Sequence, residues 1–104
     1  MIKSEKDQKI TDLLARVQKC LDNGKYLFTN HALIRKKERV LTIPKITQQV
    51  LRTGYHEKKK DQWDFSHKAW NYAIRGKTID NEELRVIVSF DENGMLIITA
   101  IRLD

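Results

Sequence analysis

Cysteine, proline and glycine are all scarce in this chain of 104 residues, which holds one, one and four of them respectively. With Cys20 as the single cysteine, no internal disulfide forms and nothing calls for an oxidising compartment. Lying within a helical pattern, Cys20 reads as a small packed residue. The sparse proline and glycine exclude collagen-like, proline-rich and flexible linker segments. No P-loop, Gly-rich dinucleotide fingerprint or Ser/Cys nucleophile triad is present. No apolar run approaches the roughly 20 residues that span a bilayer, so no membrane association is expected. The N-terminal MIKSEKDQK has no hydrophobic run behind it, so no secretory signal is expected and the expected location is cytoplasmic.

What the chain does have is positive charge, +6 overall. The surplus is concentrated. Between Arg35 and Lys60 stand Arg35, Lys36, Lys37, Arg39, Lys45, Arg52, Lys58, Lys59 and Lys60 against Glu38 and Glu57, nine against two, or +7. The ends therefore nearly cancel, and the middle points to a polyanionic partner, with RNA favoured over DNA.

The length suits one domain, 1–104, with residues 1–8 expected to fray. Ile10, Leu13, Leu14, Val17 and Leu21 recur at helical spacing, and Asn23-Gly24 ends that first helix. Tyr26 to Phe28 is a short extended link or a strand. Thr29 is placed to cap a second helix through His31–Arg39, and Thr42 a third, with Pro44 in its first turn and Gly54 as its stop. Beyond Gly54 the period falls to two. Trp70, Tyr72 and Ile74 form one alternating run, and Leu84, Val86, Val88 and Phe90 another. Asp91 to Gly94 makes a hairpin loop into an apolar, central final strand. The expected fold class is α+β: N-terminal helices packed on a small antiparallel β-sheet, three helices and then three to four strands.

His31, Arg35 and Arg39 share one helix face, a ridge suited to phosphate contact and equally readable as a solvated face. Lys36, Lys37, Lys59 and Lys60 extend the basic surface. Lys58-Lys59-Lys60 is expected as a loop or edge strand, with Trp63, Phe65, Trp70 and Tyr72 close behind, a pairing suited to single-stranded RNA. Trp70 also reads as core; Trp63, in a polar stretch, does not. The spacing of His31, His56 and His67 fits no compact ligand set, so neither metal nor cofactor is expected. Metal-free RNA cleavage needs a base for the 2′-hydroxyl, cationic donors for the phosphorane and an acid for the leaving oxygen. Arg75, Arg85 and Arg102 fall in or beside strands and offer cations, with Arg102 conspicuous on the apolar last strand.

The run His31-Ala32-x-x-Arg35-x-x-Glu38-Arg39, then Ile43, Ile46, Val50-Leu51 and Gly54, then the alternating strands and the terminal Leu96-Ile97-Ile98-Thr99-Ala100, resembles domain-of-unknown-function family 4258 over about residues 27–103. The layout is also similar to the RelE-like toxin ribonucleases of the MqsR type, with Lys58, Trp70-Asn71-Tyr72 and Arg102 in comparable places. Asn71 stands where that type has glutamine, and Arg85 where it has tyrosine. The second resemblance implies a RelE-like fold and a bacterial toxin-like mRNA endonuclease, free of metal, acting alone or on ribosome-associated mRNA and neutralised by an antitoxin protein. It implies Lys58, Tyr72, Arg75, Arg85 and Arg102 near the scissile phosphate, with Tyr72 or His56 moving protons, and His31, Arg35, Lys36, Lys37, Arg39, Lys59, Lys60 and Trp63 binding nucleic acid. The alternatives are a non-catalytic RNA- or DNA-binding module and a protein-interaction adaptor with a basic face.

Overall fold

The computed structural model describes residues 9–29 and 43–103. Its dominant feature is a six-stranded sheet, not a set of helices. Two helices occur among the described residues: α1 (Leu13–Asp22) and α2 (Ile43–Thr53). The strands are β1 (Tyr26–Phe28), β2 (Tyr55–His56), β3 (Gln62–Asp64), β4 (Ala69–Lys77), β5 (Glu83–Asp91) and β6 (Gly94–Leu103). They lie in the order β1-β6-β5-β4-β2, with β3 also on β4.

This corrects the expected class on two points. The sheet is mixed, because β1 runs parallel to β6 while the other pairings are antiparallel. It also has six strands in place of three or four, so helices on a small antiparallel sheet, the RelE-like arrangement expected above, does not describe the molecule. The reason is physical. β1, β2 and β3 have three, two and three residues, too few for alternation to declare itself, and they exist only because longer strands template them. The expected first and third helices are α1 and α2; the second, His31–Arg39, lies outside the described residues.

Alternation along β4, β5 and β6 puts Tyr72, Ile74, Leu84, Val86, Val88, Met95 and Ile97 on one face, where Leu13, Val17 and Leu21 of α1 and Val50 and Leu51 of α2 close the core. Gln18 ties the two helices, donating from Nε2 to the Leu51 carbonyl at 2.7 Å. α2 meets β4 at a glycine pair. A Cβ on Gly76 would stand 2.9 Å from the Cα of Gly54, so no larger residue fits without moving backbone. Gly94, at φ 135°, turns the β5–β6 hairpin as the sequence indicates. β6 is flanked on both sides, by β1 and β5, as expected of a central strand. One irregularity bends it: Ile87 pairs with Thr99 but Val88 with Ile97, leaving Ile98 as an extra residue.

Candidate nucleic-acid interface

The β3–β4 hairpin reaches beyond the core. Trp63 faces Trp70 across the two strands, ring centroids 5.8 Å apart and edge to face. Phe65, 77% exposed, stands edge-on to Trp63 at 6.4 Å. Neither Trp63 nor Phe65 belongs to the core cluster, whereas Trp70 packs against it. The turn is built by Asp64, whose Oδ1 accepts from the amides of Ser66 at 2.9 Å and His67 at 3.2 Å, with Oδ2 2.9 Å from His67 Nδ1. The His67 side-chain hydrogen bond, aided by these amides, holds the Asp64 carboxyl below its ordinary value. Lys68 completes the turn at φ 49°, an uncommon conformation for a residue with a side chain.

Lysines border this hairpin. Lys58, Lys59 and Lys60 form a 3-10 turn immediately before β3, all three exposed, and Lys68 is exposed at the tip. Lys9 Nζ sits 4.5 Å from the centroid of the Trp70 ring, within cation–π range. Of the two expected forms, loop or edge strand, the basic run is therefore the first: a 3-10 turn that hands the chain from β2 to β3.

Asp61 makes that hand-over stable. Both β2 and β3 pair with the same edge of β4, and between them the amide of Ala73 would lack a partner. The Asp61 carboxylate fills the gap: Oδ1 accepts from Ala73 N at 2.9 Å, while Oδ2 lies 2.7 Å from His56 Nε2 and 2.8 Å from Lys9 Nζ. Its side chain is 1% exposed, and three donors surround it. An ionised carboxylate only accepts, so the Nε2 of His56 carries the hydrogen.

The opposite face of the sheet carries a second charged group. Arg75 and Arg85 are direct cross-strand partners, two like charges that would repel. Glu57 lies between them. Arg85 donates to it in a fork, Nε to Oε1 at 2.7 Å and Nη2 to Oε2 at 3.2 Å, and Arg75 Nη1 reaches Oε2 at 3.3 Å. Arg75 Nε also donates to Glu83 Oε1 at 2.8 Å. The Arg85 hydrogen bond is the main cause that lowers the Glu57 pKa; burial opposes it and Arg75 adds to it. Glu83 is lowered chiefly by Arg75, and both guanidiniums are held more firmly protonated, Arg75 first by Glu83 and Arg85 by Glu57.

The structure thus divides the expected site residues it describes among four places. Lys58, Lys59, Lys60 and Trp63 share the hairpin edge. Arg75 and Arg85 share the face opposite the helices. His56 and Tyr72 meet at a ring distance of 5.9 Å, but on the helix side, where Tyr72 is 3% exposed and its hydroxyl accepts from the amide of Ile10 at 3.0 Å. Arg102 stands apart at the sheet end, donating to Glu82 at 2.9 Å beside a polar notch lined by Lys77, Asn81, Glu83 and Leu103. His31, Arg35, Lys36, Lys37 and Arg39 lie outside the described residues. Among the described residues no three His, Cys, Asp or Glu side chains gather as a metal site would require, and no helix is long and apolar enough to cross a membrane.

Sequence reasoning passed over Lys9, Glu57 and Asp61. Glu57 and Asp61 were visible only as acids bracketing the lysine run, which signals interruption but not who accepts from whom. A family model described as a domain of unknown function (DUF4258) matches residues 28–102. No curated protein matches the chain.

Proposed function

For a chain that belongs to the DUF4258 family, whose description assigns no chemistry, we propose single-stranded RNA binding by the β3–β4 hairpin and the lysines before it. One observation carries the reading: Phe65 is 77% exposed against Trp63, outside the core, in a setting of exposed lysines. Between residues 56 and 70 the carboxylates are Glu57, Asp61 and Asp64, and each is engaged by groups of its own chain. Lys58, Lys59, Lys60 and Lys68 face solvent. An anion with stacking faces suits this surface, and unpaired nucleotides are such an anion; duplexes hide their bases. The proposed site of action is the cytoplasm, the location expected from the sequence.

Titration of the purified domain with a short unstructured RNA, followed by tryptophan fluorescence, tests the proposal. Each base stacked on an aromatic ring contributes about 1–3 kcal/mol, so Phe65→Ala should weaken binding roughly 5- to 150-fold. Replacing Lys58, Lys59 and Lys60 with alanine should reduce the salt slope by about 2, at about 0.7 per phosphate contact on a single strand. Equal affinity for a duplex of the same length, or an unchanged salt slope, would remove the reading.

A second reading keeps the chain as a toxin-like mRNA endonuclease neutralised by an antitoxin. The favouring observation is that Arg75 and Arg85 bring two guanidiniums to one acidic oxygen on the sheet face, as stabilisation of a phosphorane requires. In this reading Tyr55, which pairs with Arg75 and is 54% exposed, supplies the hydroxyl in place of the buried Tyr72. Incubation of end-labelled mRNA in EDTA, with and without translating ribosomes, should give discrete cuts that Arg85→Ala abolishes. Intact RNA in both settings excludes it.

A further inference from the structure

The Arg75–Arg85 pair poses a separate question, since two cations placed opposite each other on neighbouring strands cost stability unless an anion lies between them. We propose that this pair is a binding site for one phosphate group, and that the Glu57 carboxylate occupies it as a built-in substitute that must withdraw before phosphate enters.

Several features support the assignment. The fork from Arg85 to both Glu57 oxygens is the geometry in which a guanidinium also holds two phosphate oxygens. Arg75 Nη1 is the third donor to the carboxylate and the second to Oε2, so a single oxygen there receives bonds from two strands. The site is partly shielded, with the Arg85 and Glu57 side chains 17% and 14% exposed, which strengthens any anion contact made within it. Glu83 does not fill it, because Glu83 is held by Arg75 Nε from the side.

Position decides why Glu57 is the movable part. Both arginines stand within long strands, each paired along its length. Glu57 follows the two-residue β2; its amide donates to the Ala73 carbonyl of β4 at 2.8 Å, while its carbonyl accepts only locally, from the Lys60 amide at 2.9 Å. The next residue is Lys58, the first of the exposed lysines. A phosphate chain that engages those lysines pulls on the residue beside the carboxylate and offers a competing oxyanion to the same two guanidiniums. Glu57 is thus an autoinhibitory contact for the phosphate site.

The proposal deepens the endonuclease reading, since it uses the same arginines, but it requires no cleavage. Phosphate binding without cleavage would remove the enzyme and leave the site.

The test is an NMR titration with pyrophosphate, observing the Nε–H signals of Arg75 and Arg85 in wild type and in Glu57→Gln. In Glu57→Gln both arginine signals should shift saturably. Binding should be about tenfold tighter than in wild type or better, the effect of removing one competing charge-assisted pair. Adding Arg85→Ala should abolish the gain. Glu57→Asp, which keeps the charge but shortens the reach by one methylene, should open the site to an intermediate degree, and it decides the matter if Glu57→Gln does not fold. Equal affinity in wild type and Glu57→Asp or Glu57→Gln, or shifts confined to lysine signals, would overturn the proposal.

Discussion

Replacing Asp61 with alanine removes the acceptor that joins β2, β3 and the N-terminal segment to β4, and each lost contact has its own cost. Ala73 is fully buried, so its amide, now 2.9 Å from Asp61 Oδ1, would be left without partner or water. An orphaned buried donor costs about 1–3 kcal/mol. The His56 side chain is 10% exposed, and its Nε2–H would be stranded at a further cost of about 1 kcal/mol. Lys9, 35% exposed, can turn to solvent, so its ion pair adds about 0–1 kcal/mol. The loss should come to about 2–5 kcal/mol, a large share of the roughly 5–15 kcal/mol available to a small domain. At about 4–8 °C per kcal/mol, Tm should fall by roughly 8–40 °C. Urea unfolding followed by the fluorescence of Trp63 and Trp70, which flank this node, measures the loss directly. Asp61→Asn keeps one acceptor oxygen for Ala73 and should lose less. A loss below about 1 kcal/mol for Asp61→Ala, the range of ordinary surface substitutions, would refute the view that one carboxylate closes the gap in the ladder.

Three further outcomes are expected. The Glu57 carboxyl titrates lower in the fold than in the open chain, chiefly through Arg85, so its stabilisation is complete above about pH 4.5 and disappears as pH falls through the depressed value. The urea midpoint should therefore drop on acidification below pH 4.5, and less steeply in Glu57→Gln; equal slopes would show that Glu57 is not responsible. Gly76→Ala would place a methyl 2.9 Å from the Gly54 Cα and should cost about 1–3 kcal/mol by thermal unfolding, whereas an unchanged Tm would mean that α2 shifts freely over β4. Thr47 is 1% exposed and its hydroxyl has no hydrogen-bond partner among the described residues, so Thr47→Val should raise stability by about 1 kcal/mol; a loss would reveal a partner for that oxygen.

Local pattern carried much of the fold. Val17 and Leu21 repeat on one helical stripe, and Val86 and Val88 alternate along a strand, because each segment is long enough to show its period. Thr42 and Pro44 pointed to α2 through local backbone requirements, and Asp91 with Gly94 to the hairpin. The short strands gave no such signal: Tyr55-His56 has two residues, and its pairing with Arg75 and Ile74 is a long-range event. The candidate sites were legible as residue types and not as groupings. Lys58 to Lys60 with Trp63 could be read as a unit because they adjoin in the chain. Arg75 and Arg85 stood out as cations, but their common anion, Glu57, lies 18 and 28 positions away.

From the sequence alone came a basic middle, α1 and α2, the β4–β5–β6 meander and the aromatic–lysine neighbourhood, because charge, periodicity and turn chemistry act over a few residues. The tertiary structure decided the rest. Parallel pairing of Tyr26–Phe28 with β6 needs the finished edge of another strand. Which face a side chain takes depends on register, so Tyr72 turned inward to the helices while Arg75, three positions on, turned outward to Glu57. Asp61 became a structural acceptor only once β2 and β3 shared one edge of β4 and left a single amide between them.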